Sequence, residues 1–502
     1  MHGNEAQEEL MSEIWYDLAI VTPLVGMLAI VADAFAAPQG RRSLRPRSHH
    51  GTIVILLAAM LAFGFVLVLT GALLVSGAVV AALFAALSLI SNIKRRVLGE
   101  PLVFSDFALI GAVFQHPQFY LTALRPAQVV VLGGGVAGLL AALALLSSND
   151  PTPRLAGLVL GLGSWGGLAT LLRCIDWPAP HRVPDPGTDV MQHGLVASLL
   201  AHWYAWCGTI DPEPCDVSTI SGRSGQLVVI VQCESFTDPA VLLDDPSLVA
   251  SGLDTARKLS WQHGRLLVSG FGAYTMRTEF GVLFGRGEEA LGTRRFDPFL
   301  TAHGETSWAL PNRLDRSAWD TCMVHPHDMR FYGRHRLMPR AGFDRLVGEE
   351  AFAPPGPGEG RYVTDAAVAD RIIAIAKDSP RAGFIYAVTI ENHGPWPPDE
   401  TDATRSAAPY LRLLAHSDAM LAQLLEALPR LGRPTTFCFF GDHRPSIPGA
   451  SEPGAERHTP YVVVRFASDG TPIPGSGPER DLTPAELHHA ILDAIRLGEA
   501  ER

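Results

Sequence analysis

The feature that most constrains this chain is a long apolar run across residues 52–92. A helix needs ~20 apolar residues to cross a bilayer, so this run has the length of a hairpin of two spans. Three further stretches fit one span each, at 16–36, 127–147 and 154–173. The last two are rich in Gly and Ala, which suits close helix packing in lipid. The sequence therefore predicts a membrane domain of about five helices over residues 1–176.

The overall composition favours the same class of protein. The chain has 502 residues, of which 47% are apolar and only 18% charged, and its formal net charge is −11. The sequence contains no basic stripe of the kind that neutralises a nucleic-acid backbone. A membrane is thus an expected partner, and nucleic acid is not.

The charges that flank the spans give conflicting indications of topology. The tail before the first span is acidic, unlike a cleaved signal peptide, so this span is expected to be retained. Arginines at 41–47 follow the first span and Lys94–Arg96 follow the third, and the positive-inside rule would place both loops in the cytoplasm. With five spans, the C-terminal half would then be cytoplasmic too. Either residues 101–124 hide a sixth crossing, or these cations meet anionic lipid headgroups at the outer surface; we favour the second interpretation.

A linker is predicted at residues 177–222. Its first part, 177–189, is Pro-rich and indicates a break in the helical pattern. Residues 190–207 carry two Trp and one Tyr on an amphipathic pattern, which suits the boundary between water and lipid. An ordinary linker helix is the alternative interpretation.

The cysteine pattern argues against a structural metal site built on sulfur. None of the six cysteines occurs in a CxxC pair or with zinc-finger spacing. Cys207 and Cys215 are close enough in sequence for a disulfide if this region lies outside the cytoplasm. The sequence leaves that pairing open.

From residue 223 onward, short β-branched runs alternate with helical periodicity. Helices are predicted at 364–378, 409–428 and 483–496, the last with Thr483 and Glu486 in capping-box spacing. Strands that are apolar on both faces and separated by helices indicate a mostly parallel, helix-covered sheet. Residues 223–502 are therefore predicted to form an α/β domain, with strands at 226–231, 265–269, 384–390, 435–440 and 461–466.

Chemically suggestive residues follow four of the predicted strands, at 232–235, 270–280, 391–396 and 441–445. In such sheets the ligand lies beyond the carboxyl ends of the strands. Any one of these segments alone is more often a turn or a capping feature than a functional one. Together they predict a functional site at this edge of the sheet.

Glu234, Asp442 and His443 offer two carboxylates and one imidazole, which suit Mn, Zn or Mg and leave a coordination position open. Thr275 can fill that position, because a divalent cation lowers the pKa of a coordinated hydroxyl and makes it a nucleophile. The glycines before Thr275 allow the backbone to approach a phosphate, and a helix N-terminus there would favour negative charge.

Motifs in these segments resemble the lipoteichoic acid synthase and phosphoglycerol transferase branch of the alkaline phosphatase/sulfatase superfamily. The resemblance covers essentially the whole chain and includes KRRVLGEPLVFSDF at 94–107. In the C-terminal half it is carried by ES at 234–235, GAYTMRTEF at 272–280, FYGRHRLMPRAGFDRL at 331–346, NHGPW at 392–396 and GDH at 441–443.

The resemblance implies one divalent metal ion, with Mn favoured over Zn or Mg. The implied ligands are Glu234, Thr275, Asp442 and His443, with Thr275 also the nucleophile. His393 is similar to the active-site histidine of the family, which contacts the phospho-group or its leaving oxygen. The residues that resemble the headgroup-binding ones are His325 and Arg334.

Some residues carry alternatives. Arg277 could stabilise phosphoryl charge or pair with Glu279 or Glu305. Tyr332 adds aromatic surface beside Arg334, which suits an anionic, glycerol-bearing headgroup. His458 falls where related transferases place another histidine near the metal, and a structural role at a strand entrance is equally compatible.

The sulfatase signature C/S-x-P-S/A-R, which would give a formylglycine nucleophile, is absent. This lowers the prospect of sulfate-ester chemistry. The resemblance implies instead that Thr275 takes glycerol phosphate from phosphatidylglycerol and passes it to a glycan or polymer hydroxyl. The protein is then expected in the bacterial inner membrane, with its catalytic domain on the extracytoplasmic, periplasmic side. Alternatives are a phosphoethanolamine transferase, a phosphodiesterase with the same site, or a non-catalytic membrane protein that binds headgroups.

Overall fold

The computed structural model of the chain describes nine stretches: 2–36, 47–109, 126–175, 183–217, 219–356, 360–378, 381–396, 403–477 and 479–500. The chain divides into an N-terminal unit, Met1–Thr209, and a C-terminal unit, Ile210–Arg502. The predicted linker, 177–222, falls on both sides of this boundary. Arg41, Arg42, Arg45 and most of the possible sixth crossing lie outside the described residues.

The N-terminal unit is helical. Four of its described helices are long and apolar enough to cross a membrane, and they cover the predicted spans at 16–36, 52–92 and 154–173 except for residues 35–36 and 71–72. The fifth predicted span, 127–147, is also a helix, although its apolar described part, Gly133–Leu146, is shorter. The α-helices in the described part of this unit are α1 (His2–Ala34), α2 (His49–Thr70), α3 (Leu73–Leu98), α4 (Pro126–Leu146), α5 (Pro151–Cys174), α6 (Pro186–His193) and α7 (Leu195–Cys207).

Small residues let α2 and α5 pack closely. A Cβ placed on Gly64 of α2 would lie 2.6 Å from the carbonyl oxygen of Gly157 on α5. The side chain of Ser48 caps α2 by accepting a hydrogen bond from the Gly51 amide, and Gly71 ends it in the left-handed conformation. The Gly content of the predicted span at 154–173 thus serves backbone contact, as expected for helices in lipid.

One end of the helix bundle is closed around Asp33, near the end of α1. This carboxylate accepts hydrogen bonds from the amides of Leu195 and Val196 at the start of α7, and it forms an ion pair with Arg47 at 3.5 Å. Arg47 also donates to carbonyls of α6. The C-terminal part of α3 meets the same end, where Asn92 donates to the Phe35 carbonyl.

The other ends of these helices form the opposite end of the bundle. The Ser148 amide, just before α5, donates to the Thr70 carbonyl at the end of α2. Helix α3 thus ends at the Asp33 end, and α5 begins at the opposite end. Helix α4 lies between α3 and α5 in the sequence, and its 21 residues correspond to ~32 Å.

The C-terminal unit is built on a seven-stranded sheet in the order β2-β7-β6-β1-β5-β3-β4. Strands β6, β1, β5, β3 and β4 run parallel, whereas β7 is antiparallel to both β6 and β2. Every residue of β1 is buried, as a central strand covered on both faces requires. The strands are β1 (Leu227–Cys233), β2 (Gln262–Leu266), β3 (Trp319–Val324), β4 (Arg345–Val347), β5 (Ala382–Val388), β6 (Thr435–Gly441) and β7 (Thr459–Phe466).

Helices cover this sheet, and short 3-10 turns connect them. The capping box predicted at Thr483 and Glu486 is present: each residue accepts a hydrogen bond from the amide of the other, at 3.3 and 2.7 Å. The helices are α8 (Pro239–Leu243), α9 (Ser251–Leu259), α10 (Thr275–Phe284), α11 (Glu288–Leu291), α12 (Pro298–Thr301), α13 (Arg334–Arg340), α14 (Asp365–Asp378), α15 (Ala403–Ala427) and α16 (Pro484–Ala500).

The predicted fold class is confirmed, but two strands were missed. Strand β3 contains Asp320 and Thr321 among its apolar residues, and β4 has three residues only, so neither gives a clear apolar run. The predicted second strand was also placed too late: 265–269 was expected, whereas β2 is Gln262–Leu266. This edge strand pairs only with β7 among the named strands, and its largely polar sequence gave little periodicity.

Candidate active site

The residues predicted as metal ligands meet at the carboxyl ends of β1 and β6. Glu234 follows β1 directly, and Asp442 and His443 follow β6 directly. The parallel pairing of the two strands, with Cys233 opposite Gly441, brings these ends side by side. One ligand atom from each of the three side chains lies within 4.8 Å of the other two. All three residues are buried.

The hydrogen bonds around this cluster leave ligand atoms directed toward one point. His443 Nδ1 contacts the Arg444 carbonyl at 3.1 Å, which assigns the proton to Nδ1 and leaves Nε2 as the acceptor nitrogen. Asp442 Oδ1 accepts two backbone amides at 2.8 Å. Asp442 Oδ2 is buried without a hydrogen-bond partner. The cluster therefore fits a divalent cation, because such an orphaned carboxylate oxygen is costly unless a cation binds it.

The electrostatics of the cluster favour the same interpretation. Burial, and then the neighbouring charge of Asp442, raises the pKa of Glu234 to about 8. His443 Nε2 lies 3.5 Å from Glu234 Oε1 and 3.5 Å from Asp442 Oδ2. Two buried carboxylates this close repel each other, and a bound cation offsets that repulsion.

Thr275 lies at the first turn of α10, beside the cluster. Its Oγ1 is 3.4 Å from His443 Nε2. The residue before it, Tyr274, has φ 77°, and this left-handed conformation turns the chain sharply into the helix. Gly272, with φ 63°, donates its amide to the Arg444 carbonyl and fixes the approach of the loop. The predicted nucleophile is thus placed at a helix N-terminus, where backbone amides favour negative charge.

Several residues that hold the cluster were not identified from the sequence. The Glu234 amide donates to the Thr389 hydroxyl at 3.0 Å, and the Ser235 hydroxyl donates to Glu234 Oε1 at 2.9 Å. The Thr278 hydroxyl donates to the Asp442 carbonyl at 2.7 Å, which ties α10 to the loop after β6. A signal was present for Thr278, which lies one turn after Thr275. Thr389 was placed inside the strand predicted at 384–390, whereas β5 ends at Val388.

His393 follows β5 and contacts a row of aromatic rings. Its Nδ1 is 2.7 Å from the Gly394 carbonyl, so Nδ1 donates and Nε2 is the acceptor nitrogen. Burial lowers the pKa of His393, and this effect outweighs the opposing hydrogen bond and the charge of Asp442. The imidazole is therefore neutral near pH 7. Its ring lies 5.9 Å from the ring of Tyr362.

The residues predicted to bind a headgroup form a buried polar group beyond β3. Arg334 is bound in a fork by Glu279, at 3.1 and 2.5 Å, and its Nη1 is 3.4 Å from His325 Nε2. His325 Nδ1 contacts the Val388 carbonyl, and burial, then the Arg334 charge, lowers the pKa of His325 well below its usual range. The guanidinium of Arg334 also lies 5.3 Å from the ring centre of Tyr332. The predicted set is thus brought together, and Glu279 occupies two nitrogens of Arg334.

Arg277 stacks on Tyr274, with its guanidinium carbon 3.8 Å from the ring centre, and donates to the Phe296 carbonyl. The carboxylates proposed as its alternative partners are engaged by other arginines: Glu279 by Arg334, and Glu305 by Arg286 and Arg294.

His458 lies before β7, where Arg444 donates to its ring nitrogen at 3.1 Å and to its carbonyl. It is not a member of the Glu234, Asp442 and His443 cluster. The possible disulfide is not formed, because Cys207 and Cys215 are both free thiols.

Comparison with known proteins identifies the family. The Sulfatase family profile matches residues 226–483. The capsular polysaccharide biosynthesis protein RkpI of Rhizobium meliloti (strain 1021) is 32% identical over 407 residues, which cover 75% of this chain and 74% of the relative. A putative cyclic beta-1,2-glucan modification protein of the same organism is 26% identical over 294 residues, which cover 53% of this chain and 45% of the relative.

One solved structure matches along almost the whole chain. The integral membrane protein lipooligosaccharide phosphoethanolamine transferase A from Neisseria meningitidis superposes with a TM-score of 0.56 at 13% identity, over 94% of this chain and 95% of that chain. This likeness shows a shared fold that includes the membrane helices as well as the α/β unit. The chain belongs to the sulfatase family of the alkaline phosphatase superfamily, as a membrane-anchored enzyme of that family.

Proposed function

We propose that this enzyme is a phosphotransferase that moves glycerol phosphate from phosphatidylglycerol to a hydroxyl of a glycan or polymer. The observation that carries the proposal is the position of Thr275, whose Oγ1 lies 3.4 Å from His443 Nε2 beside Glu234 and Asp442. A hydroxyl beside a divalent-cation ligand set, at the start of a helix, has the surroundings of an activated nucleophile.

The reaction has two displacements at one phosphorus. First, Thr275 Oγ1 bonds to phosphorus as the bond to the diacylglycerol oxygen breaks, and the proton lost by Thr275 is balanced by the one that diacylglycerol gains. Then an acceptor hydroxyl bonds to phosphorus and Thr275 leaves as its hydroxyl. A divalent cation, with Mn preferred, would be held by Glu234, Asp442, His443 and Thr275 and would supply charge neutralisation for the phosphoryl oxygens.

His393 is proposed to take the proton of the acceptor hydroxyl in the second displacement. The burial that lowers its pKa keeps the imidazole neutral near pH 7, and its Nδ1 contact with Gly394 leaves Nε2 as the accepting nitrogen. A neutral imidazole near the reacting oxygens suits a general base at that pH. His325, Tyr332 and Arg334 are proposed to line the headgroup side of the site, where the Arg334 charge and the Tyr332 ring would favour an anionic glycerol phosphate.

The related proteins support a glycan as acceptor and a lipid as donor. One relative is named for capsular polysaccharide biosynthesis and another for glucan modification. The membrane helices belong to the same chain as the catalytic unit, which raises the effective concentration of a lipid donor. We place the enzyme in the inner membrane of a bacterium with the C-terminal unit on the periplasmic side.

Mass spectrometry of the intact protein in detergent, with Mn and phosphatidylglycerol, tests the proposal. We expect the peptide that contains Thr275 to gain one glycerophosphoryl group. The gain should vanish in Thr275→Ala and persist in the control Thr255→Ala, since Thr255 is an exposed helix residue. An adduct only with phosphatidylethanolamine would instead assign phosphoethanolamine transfer. Release of glycerol phosphate to water even when glycan is present would assign a hydrolase, and the absence of any adduct or turnover would favour a headgroup-binding protein.

A further inference from the structure

A cavity of about 140 Å³ lies beside the candidate active site. Its wall is formed by the start of the loop after β3, by the segment after β4, and by residues just before α14. Proline and aromatic surfaces dominate this wall, and one charge of each sign is present. The residues that matter here are Pro326, Glu349, Phe352, Pro354, Arg361 and Tyr362.

Tyr362 connects this cavity to the site. Its ring lies 5.9 Å from the ring of His393 and 6.2 Å from the ring of His327. The Tyr362 hydroxyl is buried without a hydrogen-bond partner. Such a hydroxyl is costly to bury unless a ligand group binds it. His327 continues the aromatic row toward Phe331, on the side of the headgroup-binding residues. Tyr362 therefore lies between His393 and those residues.

The order of the two displacements at phosphorus indicates which substrate can bind in this cavity. In an in-line displacement the entering and leaving oxygens lie on opposite sides of phosphorus. Diacylglycerol leaves opposite Thr275, so the acceptor hydroxyl enters at the position that diacylglycerol vacated. His393 is the base proposed for that hydroxyl. The cavity adjoining His393 is thus next to the entry point of the acceptor.

The chemistry of the wall selects a sugar ring. Flat aromatic and proline faces pack against the C–H faces of a pyranose, while Tyr362 and Arg361 can bind its hydroxyls. An acyl chain in this cavity would lie against the charged side chains of Arg361 and Glu349, and removing these charges from water is unfavourable. Because Arg361 and Glu349 offset each other, the wall does not favour an anionic ligand. Pockets for whole drug-sized ligands run to ~300 Å³ or more, so this smaller cavity fits a single ring.

We propose that the cavity at Tyr362 is the acceptor subsite and takes one neutral sugar ring of the glycan. The assignment rests on the proposed function, since it needs an acceptor that attacks after diacylglycerol has left. It adds a residue that governs acceptor binding and does not act in the first displacement.

The test separates the two displacements in the full-length protein. The probe is a panel of neutral gluco-oligosaccharides with β-1,2, β-1,3 and α-1,4 linkages. One readout is the pre-steady-state burst of diacylglycerol from phosphatidylglycerol without glycan. The other is the glycan concentration at which half of the glycerol phosphate passes to glycan instead of water.

For Tyr362→Ala we expect the half-partition concentration to rise about tenfold, which corresponds to ~1.4 kcal/mol of acceptor binding. The diacylglycerol burst should stay within twofold of the wild type. Tyr362→Phe keeps the ring and should show a smaller rise. Arg361→Ala should also raise it, whereas Arg430→Ala, another exposed arginine, should not. A burst that falls in parallel with transfer would make the cavity a donor subsite, and an unchanged partition would show that no acceptor binds there.

A direct binding measurement keeps this proposal distinct from the proposed function. Saturation-transfer NMR on Thr275→Ala reports oligosaccharide binding without any turnover. We expect signal in Thr275→Ala and its loss in Thr275→Ala/Tyr362→Ala. Signal that depends on Tyr362 in a protein whose wild type gives no diacylglycerol burst would refute the proposed function and retain a glycan site. The absence of signal with every member of the panel would overturn the subsite.

Discussion

At the scale of single residues, Asp442 divides its two carboxylate oxygens between two tasks. Oδ1 accepts the amides of Ser235 and His443 and holds the loop after β6 in place. Oδ2 has no hydrogen-bond partner and faces the Glu234 and His443 side chains. The first oxygen therefore stabilises the fold, and the second is available to a cation.

Asp442→Asn should separate these tasks. The amide oxygen can still accept the two backbone amides, whereas an NH2 group replaces the oxygen that faces the cation. We expect Mn to raise the melting temperature of the wild type, since a ligand at 100 times its Kd adds ~2.7 kcal/mol of stability. No such rise is expected for Asp442→Asn, and the metal-free variant should be at least as stable as the metal-free wild type. Metal analysis and thermal unfolding in detergent test this expectation, with the exposed-site variant Asp493→Asn as a control. Equal Mn content in Asp442→Asn and the wild type would contradict it.

His393 should give the acceptor step a recognisable dependence on pH. Burial lowers its pKa below 6.5, so the fraction of neutral imidazole rises as pH increases through that lowered value and is complete near pH 7. Starting from preformed glycerophosphoryl-Thr275, the transfer rate should rise with pH on the acid side of 6.5 and then level off. In His393→Gln this rise with pH should be absent, and the transfer rate should be lower by a factor of ~100 or more. If His393→Gln still shows the rise of the transfer rate with pH, the titrating group is not His393.

At the scale of secondary-structure elements, the site depends on how closely the ends of β1 and β6 approach. Gly441 is the last residue of β6 and pairs with Cys233. A Cβ on Gly441 would lie 1.9 Å from the carbonyl oxygen of Phe236, and backbone cannot move aside as a flexible side chain can. The absence of a side chain at this position is what lets Asp442 stand beside Glu234.

Gly441→Ala should therefore damage the site through the backbone. The two strand ends must separate to admit the methyl group, at a cost of ~1–3 kcal/mol, as for other overpacked positions. We expect a lower melting temperature together with a larger loss of Mn affinity. Gly477→Ala is the matched control, since its Cβ would meet nothing within 4 Å. Wild-type Mn affinity in Gly441→Ala would show that the ligand set does not need this close approach.

At the scale of the whole molecule, the bundle clarifies the conflict between charge and topology. Arg47 lies at the Asp33 end, and Arg95 is in the last turn of α3, which meets that end. Helices α6 and α7 close the same end. We expect the Asp33 end to be on the periplasmic side, where these cations would meet anionic headgroups rather than set the topology.

Cysteine labelling in spheroplasts tests this arrangement. Cys174, Cys207 and Cys215 are first replaced by Ser, and one cysteine is then introduced at Met191 near the Asp33 end or at Asn149 near the opposite end; both positions are exposed. A membrane-impermeant maleimide should label Met191→Cys in intact spheroplasts and Asn149→Cys only after lysis. The reverse pattern would place the Asp33 end in the cytoplasm, and labelling of both without lysis would contradict the helix bundle.

The sequence alone determined the features that depend on local patterns. Apolar runs gave the membrane helices, β-branched runs gave β1, β5, β6 and β7, and the capping box at Thr483 gave the start of α16. The ligand cluster could also be predicted from the sequence, because parallel strands bring their carboxyl ends to one edge of the sheet and the motif residues follow those strands.

Only the tertiary structure decided what depends on contacts distant in sequence. Strands β3 and β4 form because a partner strand pairs with them, not because their own residues are strongly apolar. The pairing of Arg334 with Glu279, the left-handed turn at Tyr274 and the support of Glu234 by Thr389 likewise join separate segments. The cavity at Tyr362 has the same origin: three segments build its wall, and none of them carries a motif that identifies it.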